Sequence, residues 1–261
     1  MRLDKLVSEK NKISRTKAQE LIKNGFVFVC DKAIDKPAFE VEEESDVRVE
    51  ENQSYVSRGA YKLLGAIDDF NLNFKDKVVL DIGASTGGFT QVALDNGAKK
   101  VYAVDIGENE LFESLKKDKR VVNYNSTDFR NLKINMCPDV QMIIGDVSFI
   151  SLKHIFPKIK ELFGCNIEIC ILFKPQFECG KELAKKYKGV VIKRNVHLEL
   201  LKDFCSYLEI NNFLISGLSY SKIKGKSGNI EYLFYLNGVK NNKIDVLNVV
   251  ESAFNNIFNK S

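Results

Sequence analysis

The stretch Val78-Val79-Leu80-Asp81-Ile82-Gly83-Ala84-Ser85-Thr86-Gly87-Gly88-Phe89, with Val101-Tyr102-Ala103-Val104-Asp105 downstream of it, narrows the possible folds most. A β-branched run ends in an acid, passes through small residues and enters Phe89-Thr90-Gln91-Val92-Ala93-Leu94, whose apolar positions recur at helical spacing. The pattern predicts a strand, a tight turn and a helix. Small residues let a backbone approach a ligand at the carboxyl edge of a parallel sheet. The second strand delivers Asp105 to that edge, where a carboxylate can bond both hydroxyls of a ribose.

The glycines stand at Gly83, Gly87 and Gly88, with Ala84-Ser85-Thr86 between them, and no G-x-G cradle for a pyrophosphate is present. A pyrophosphate ligand is therefore disfavoured. Asp81 at the strand end would repel phosphate and attract an ammonium, which suits a nucleoside carrying an amino-acid tail, such as S-adenosylmethionine. On this loop alone, a glycine-rich turn in some other α/β protein is an equal reading.

The remaining composition sets bounds. The 261 residues, 44% of them hydrophobic, have room for one large domain and a small one. Six cysteines form no C-x-x-C pair and the only histidines are His154 and His197, so no metal is expected, and reduced thiols in a cytoplasmic protein are the simplest account. Met1-Arg2-Leu3-Asp4-Lys5 lacks an export core, and no apolar run approaches the ~20 residues of a membrane span, so no membrane partner is expected.

Residues 1–36 hold nine Lys/Arg against five Asp/Glu, whereas 37–52 hold one against seven. Leu3, Leu6 and Val7 mark one short helix. Ser14 or Thr16 can cap a second through Ala18, Leu21 and Ile22, stopped at Asn24-Gly25. Strands are expected at Phe26–Val29, near Ala33-Ile34 and at Val47–Val49. Arg2-Leu3-Asp4, followed by Ser14-Arg15-x-Lys17-Ala18-x-x-Leu21-Ile22-x-x-Gly25-x-Val27, resembles the small RNA-binding domain named after ribosomal protein S-four. The resemblance implies that Arg2, Lys10, Lys12, Arg15 and Lys17 meet structured RNA, mostly at phosphates.

A polar junction over 51–57 marks the domain boundary: a small domain over 1–52, a linker over 53–57 and a large domain over 58–261. Arg58 to Leu64 begins a helix in which Lys62, beside Leu63, Leu64 and Ile67, reads by itself as an ordinary amphipathic-helix lysine. Further strands are expected at Val121–Tyr124, ending towards Asp128, which is placed to accept from an adenine amino group, and at 140–148, carrying Asp146. A helix over Leu152 to Leu162 follows. The strand 167–175 ends on Lys174, where desolvation of a cation after so apolar a run favours a functional role. From Lys174 to Arg194 seven Lys/Arg face two Asp/Glu in an expected basic loop, with Lys181 and Lys188. A second basic loop carries Lys222, Lys224 and Lys226. A helix over 196–210, a strand over 213–220, a last strand over 229–236 and a closing helix over 246–258 complete the chain. If the last strand is antiparallel, Glu231 at its start faces the same crevice.

Ser57-Arg58-Gly59-Ala60-x-Lys62-Leu63, Asp81-x-Gly83-Ala84-Ser85-Thr86-Gly87-Gly88-Phe89-Thr90, Asp146-Val147-Ser148-Phe149-Ile150-Ser151-Leu152, Lys174-Pro175-Gln176-Phe177-Glu178 and Gly228-Asn229-Ile230-Glu231-Tyr232 are together similar to the TlyA family, related to the FtsJ-type 2′-O-methyltransferases. The resemblance implies an α/β fold: a seven-stranded, Rossmann-like class I methyltransferase domain with one antiparallel strand, preceded by the small α+β S-four-like domain. It implies methyl transfer from S-adenosylmethionine to cytidine riboses of ribosomal RNA, and a Lys-Asp-Lys-Glu tetrad at Lys62, Asp146, Lys174 and Glu231. Lys174 is then the candidate base, aligned with Asp146, while Lys62 and Glu231 steer and tune the pair. Asp81, Gly83, Ala84, Ser85, Thr86, Gly87, Gly88, Phe89, Asp105 and Asp128 would hold the cofactor. Arg58 and the loop lysines would meet the RNA or ribosomal subunit. Relatives carry an Arg-x-Trp-Val junction where this chain has Gln53-Ser54-Tyr55-Val56. The short N-terminus and modest tail match the family's shorter type, implied to act on large-subunit RNA. The family is also described as haemolysin, so a membrane-active protein and a non-catalytic ribosome assembly factor are the alternatives.

Overall fold

The computed structural model describes residues 1–30, 32–50, 55–107, 111–239 and 242–258. Gln53 and Ser54, where the linker was expected to begin, lie outside them, as does the first half of the Gln53–Val56 junction.

In the N-terminal unit, α1 (Leu3–Asn11) and α2 (Arg15–Lys23) pack on an antiparallel sheet of β1 (Val27–Val29), β2 (Lys32–Ala33) and β3 (Val47–Val49), with β1 central. Ser14 caps α2 by accepting from the Lys17 amide at 3.1 Å, and Gly25, at φ +80°, turns the chain into β1. Leu3, Leu6, Val7, Leu21, Ile22 and Val27 close a core separate from that of the larger unit.

The larger unit opens with α3 (Gly59–Phe70) and alternates strands and helices: β4 (Val78–Ile82), α4 (Gly88–Asp95), β5 (Lys100–Val104), α5 (Glu113–Lys117), β6 (Val121–Tyr124), β7 (Met142–Gly145), α6 (Phe156–Phe163) and β8 (Glu168–Phe173). Then come α7 (Pro175–Glu178), α8 (Gly180–Lys186), α9 (Arg194–Ile210), β9 (Ile215–Tyr220), β10 (Tyr232–Leu236) and α10 (Val246–Ala253). The sheet order is β6-β5-β4-β7-β8-β10-β9, parallel except for β10, which runs against both neighbours. This is the doubly wound sheet with one reversed strand that the sequence resemblance implied.

Strand parity sorts the core. Ile169, Ile171 and Phe173 of β8 face the layer holding α6, α9 and α10, while Cys170 and Leu172 face the layer holding α3 and α4. All five are fully buried, so the strand reads as an unbroken apolar run. Three expectations need correction. The basic stretch after Lys174 is not one loop, for its first part folds as α7 and α8 and only residues 187–193 are irregular. The helix expected from Leu152 is a 3-10 turn, Leu152–His154, followed by α6, which carries Pro157 in its first turn, where no amide is required. The closing helix gives way after Ala253 to a π-helical turn over Phe254–Phe258.

The strand order reverses between β4 and β7, opening a crevice at their carboxyl ends. The turn leading into α4 is shaped by packing as much as by ligand access. Gly87 has φ +98°, and a Cβ there would stand 2.3 Å from Leu115 Cδ1. Gly87→Ala is therefore expected to destabilise the protein by about 1–3 kcal/mol, measured as the shift in denaturant midpoint.

Candidate active site

Phe173 of β8 pairs with Tyr232 of β10, so Lys174, just past the end of β8, and Glu231, just before the start of β10, emerge side by side. β7, parallel to β8, brings Asp146 to the same edge, and α3 carries Lys62 in from the flank. The four side chains form a continuous series of contacts. Glu231 Oε2 meets Lys62 Nζ at 2.7 Å, Lys62 Nζ meets Asp146 Oδ2 at 3.2 Å, and Asp146 Oδ1 meets Lys174 Nζ at 2.5 Å. Lys174 also donates to Ser148 Oγ at 2.7 Å, and Gln176 Nε2 donates to Glu231 Oε1 at 3.3 Å.

The Lys62, Lys174 and Glu231 side chains are 10%, 8% and 3% exposed. Such a dry cluster tolerates charge only because the signs alternate. Burial works against the Lys62 ammonium, but the Asp146 and Glu231 carboxylates outweigh it and hold the pKa above the ordinary lysine value. Burial also works against ionised Asp146, and Lys174 and Lys62 outweigh it, carrying that carboxyl below the usual range. Lys62 is thus a fixed cation. Its burial between two acids from distant strands is what an amphipathic-helix reading of residues 59–70 misses.

Beside the cluster lies a cavity of 640 Å³ between the ends of β4, β5 and β7, within the range of ligand pockets. Asp146 and Ser148 line it, so Asp146 belongs to both the cluster and the cavity wall. Gly83, Ser85, Asp105 and Asp128 also line it, whereas Asp81, Ala84, Thr86, Gly87, Gly88 and Phe89 do not. For Asp81 the reason is parity: it shares a face with Val79, under α4, and its Oδ2 accepts from Thr90 Oγ1 at 2.6 Å. Asp128 is spoken for by Arg130, whose Nε donates to Oδ1 at 3.0 Å and whose guanidinium holds the carboxyl below its usual range.

The wall fits a nucleoside with an amino-acid tail. Asp105 accepts from the Ser85 amide at 2.8 Å and the Gly107 amide at 2.7 Å, one bond per oxygen, which leaves each oxygen a lone pair for a hydroxyl. Gly83 lies so close to the Asp146-Val147 backbone that a Cβ would stand 3.1 Å from it, with φ +81°, so only glycine keeps this wall open without strain. Behind the wall, Asp81 Oδ1 is buried with no hydrogen-bond partner among the described residues.

The FtsJ-like methyltransferase profile matches residues 55–238, and the S4 domain profile matches residues 1–47. The chain belongs to the FtsJ-like methyltransferase family. Within it the chain groups with TlyA proteins. It is 37% identical to the 23S rRNA (cytidine-2′-O)-methyltransferase TlyA of Campylobacter jejuni, over 90% of this chain and 98% of that one. It is 39% identical to YqxC of Bacillus subtilis, a candidate rRNA methyltransferase, over 97% and 93% of the two chains. A solved structure of a candidate hemolysin from Streptococcus thermophilus superposes with a TM-score of 0.78 at 34% identity, over 100% and 97% of the chains. No helix among the described residues is long and apolar enough to cross a membrane.

In this FtsJ-like chain the cations expected at RNA fall into different classes. Arg58 is a correction. Its side chain is 11% exposed, Nε lies 3.3 Å from Glu50 Oε2, and the guanidinium lies over Phe28, so it packs the junction between the two units. Arg2 and Arg15 converge at 2.8 and 3.1 Å on the fully buried Asp4 carboxylate, which the Arg2 hydrogen bond holds well below its usual range. Both arginines keep about half their surface. Lys17 pairs with Glu20, Lys222 with Asp69 and Lys226 with Asp35, all while largely exposed, and Lys226 reaches the cavity rim. Lys10 donates to the Ser45 carbonyl at 3.3 Å. Lys12, Lys181 and Lys188 are exposed, and Lys224 is half-buried.

Sequence reasoning about an FtsJ-like site also missed Ser148, Gln176 and Thr90, which orient Lys174, Glu231 and Asp81. All three stand inside the motif strings that carry the family resemblance, but nothing in those strings assigns them a role. Burial raises the Asp81 carboxyl to a pKa of about 7. A carboxyl that holds its proton longer in the native than in the unfolded chain favours folding at low pH, and that advantage is lost as pH rises from about 4 to 7. Asp81→Asn is accordingly expected to raise the melting temperature by several degrees at pH 8 and by little at pH 5, read by calorimetry at both pH values.

Proposed function

We propose that the protein transfers a methyl group from S-adenosylmethionine to the ribose 2′-hydroxyl of a cytidine in ribosomal RNA, of the large subunit, in the cytoplasm where ribosomes are built. The observation that carries this reading is the Lys62-Asp146-Lys174-Glu231 series, which opens at Asp146 into the cavity. The activity named for the Campylobacter relative supports the cytidine and the large subunit.

In this reading Asp105 takes the nucleoside hydroxyls and the Gly83–Ser85 backbone bounds the amino-acid end. When bound, S-adenosylmethionine supplies an electrophilic sulfonium methyl. The chain's own task is to hold a weak nucleophile in line and to receive its proton. A hydroxyl oxygen becomes acidic as its new bond forms, so a well-placed acceptor serves better than a strong base. Lys174 Nζ, fixed by Asp146 and Ser148, is that acceptor once it has released one proton to solvent, and the proton it takes from the hydroxyl restores the ammonium. Lys62 stays charged and, with Glu231, keeps Asp146 turned towards Lys174. The half-exposed Arg2 and Arg15 and the exposed lysines anchor the RNA at phosphates.

Mapping ribose methylation on ribosomal RNA from cells with and without the gene tests the proposal. We expect a 2′-O-methylcytidine in large-subunit RNA that vanishes with the gene. Identical ribose maps would overturn it.

A further inference from the structure

The four residues of α7 serve several parts of the site at once. Lys174 is its N-cap, Gln176 bonds Glu231, and Phe177 touches Phe149 at 5.1 Å between ring centroids. Glu178, the last of them, contacts none of the tetrad. Its carboxylate reaches across to the segment after β7 instead, accepting from Ser151 Oγ at 2.5 Å and from the Leu152 amide at 2.8 Å. Burial pushes this carboxyl upward while those two donors and Lys153 oppose it.

The consequence lies in what that segment carries. Residues 146–150 line the cavity, and they are pinned at one end by the Asp146 contacts with Lys62 and Lys174, at the other by Glu178. Between the pins stand Ser148, which receives the Lys174 hydrogen bond, and Phe149, which has φ +64° and is 90% exposed. A bulky residue in the left-handed region persists only where its surroundings over-determine it. Leu152 is itself buried in the core, so what the second pin adds is a polar anchor at the Ser151 hydroxyl and the Leu152 amide, where the segment enters the 3-10 turn.

We propose that Glu178 is a positioning residue for the reaction. By holding Ser151 and Leu152 it keeps the 146–151 segment in the one conformation that presents Ser148 to Lys174 and Phe149 to the cavity mouth. The inference rests on the function proposed above.

The test compares wild type, Glu178→Ala, Glu178→Gln, Ser151→Ala and the Glu178→Ala/Ser151→Ala double variant, with Lys174→Ala as control. Ribosomal particles from cells lacking the gene are the substrate. Glu178→Ala is expected to lose about 10- to 100-fold in kcat, the scale of misplacing a reacting group by about 1 Å, while binding S-adenosylmethionine within threefold of wild type by calorimetry. Glu178→Gln, whose amide oxygen still accepts from Leu152, should recover part of the loss. The double variant should be no worse than Glu178→Ala alone, because Ser151→Ala removes a bond that Glu178→Ala has already broken. Should Glu178→Ala fail to fold in a thermal melt, Glu178→Gln and Ser151→Ala decide, with kcat lowered at unchanged melting temperature expected of both. Wild-type kcat in Glu178→Ala, or losses in the double variant that simply multiply, would overturn the inference. A wild-type protein inactive on these particles, indistinguishable from Lys174→Ala, would instead overturn the proposed function.

Discussion

Lys174→Ala is expected to lower methyl transfer by at least about a thousandfold while leaving S-adenosylmethionine affinity within threefold, because the proposed mechanism gives Lys174 the reacting hydroxyl and Lys174 does not line the cavity. Stability should change little, since Asp146 keeps Lys62 as a partner. Lys174→Arg separates two components of the role. Arginine retains the charge for Asp146 but gives up no proton at any working pH and presents a planar fork where a point donor stood. If Lys174 is the proton acceptor, arginine is as inactive as alanine; partial activity would mean that the cation alone suffices. Single-turnover rates with pre-bound donor make the comparison free of product release.

Asp146→Ala should have the largest effect on stability. The carboxylate stands between two ammonium groups whose side chains are at most 10% exposed, and without it Lys174 loses its ion-pair partner beside a Lys62 that keeps Glu231. Removing the shared partner of buried charges costs about 3–5 kcal/mol, which in a chain of this size corresponds to a fall of roughly 10 °C in melting temperature. The pH dependence follows from the depressed carboxyl. Its contribution is present above the unfolded-state value of about 4 and is lost as pH falls through the acid range, so the gap between wild type and Asp146→Ala should be widest near neutrality and close in acid. Asp146→Asn, which keeps the shape and one acceptor, should fold better and transfer as poorly. A neutral-pH gap below about 1 kcal/mol would mean that Lys174 finds another partner when Asp146 is gone.

Sequence carried the sheet further than it carried the site. The run 167–173 reads as a strand because both its faces are buried, and Asp105 and Asp146 read as edge residues because strand ends are visible in a sequence. Glu231 was placed correctly only on the condition that β10 be reversed, a fact held in the pairing of Tyr232 with Phe173 rather than in any local pattern. Lys62 illustrates the opposite case: nothing within α3 distinguishes it from a surface lysine, and only the carboxylates of Asp146 and Glu231 make it part of a site. Asp81 was misassigned to the ligand wall because its place at a strand end was noticed and its parity was not. Arg58 reads as an RNA contact from its charge and position, whereas Phe28 and Glu50, from the other unit, enclose it. In each case the missing information was a contact between residues far apart in the chain, which composition and periodicity do not encode.

The most direct test of the central claim, that Lys62, Asp146, Lys174 and Glu231 present a ribose 2′-hydroxyl to the methyl donor, uses an RNA carrying the mapped target cytidine as 2′-deoxycytidine. The account predicts that this RNA competes with the all-ribose form for binding and accepts no labelled methyl group. Methyl incorporation into the deoxy form at the ribose-form rate would contradict it, because the accepting atom would then lie elsewhere on the nucleotide.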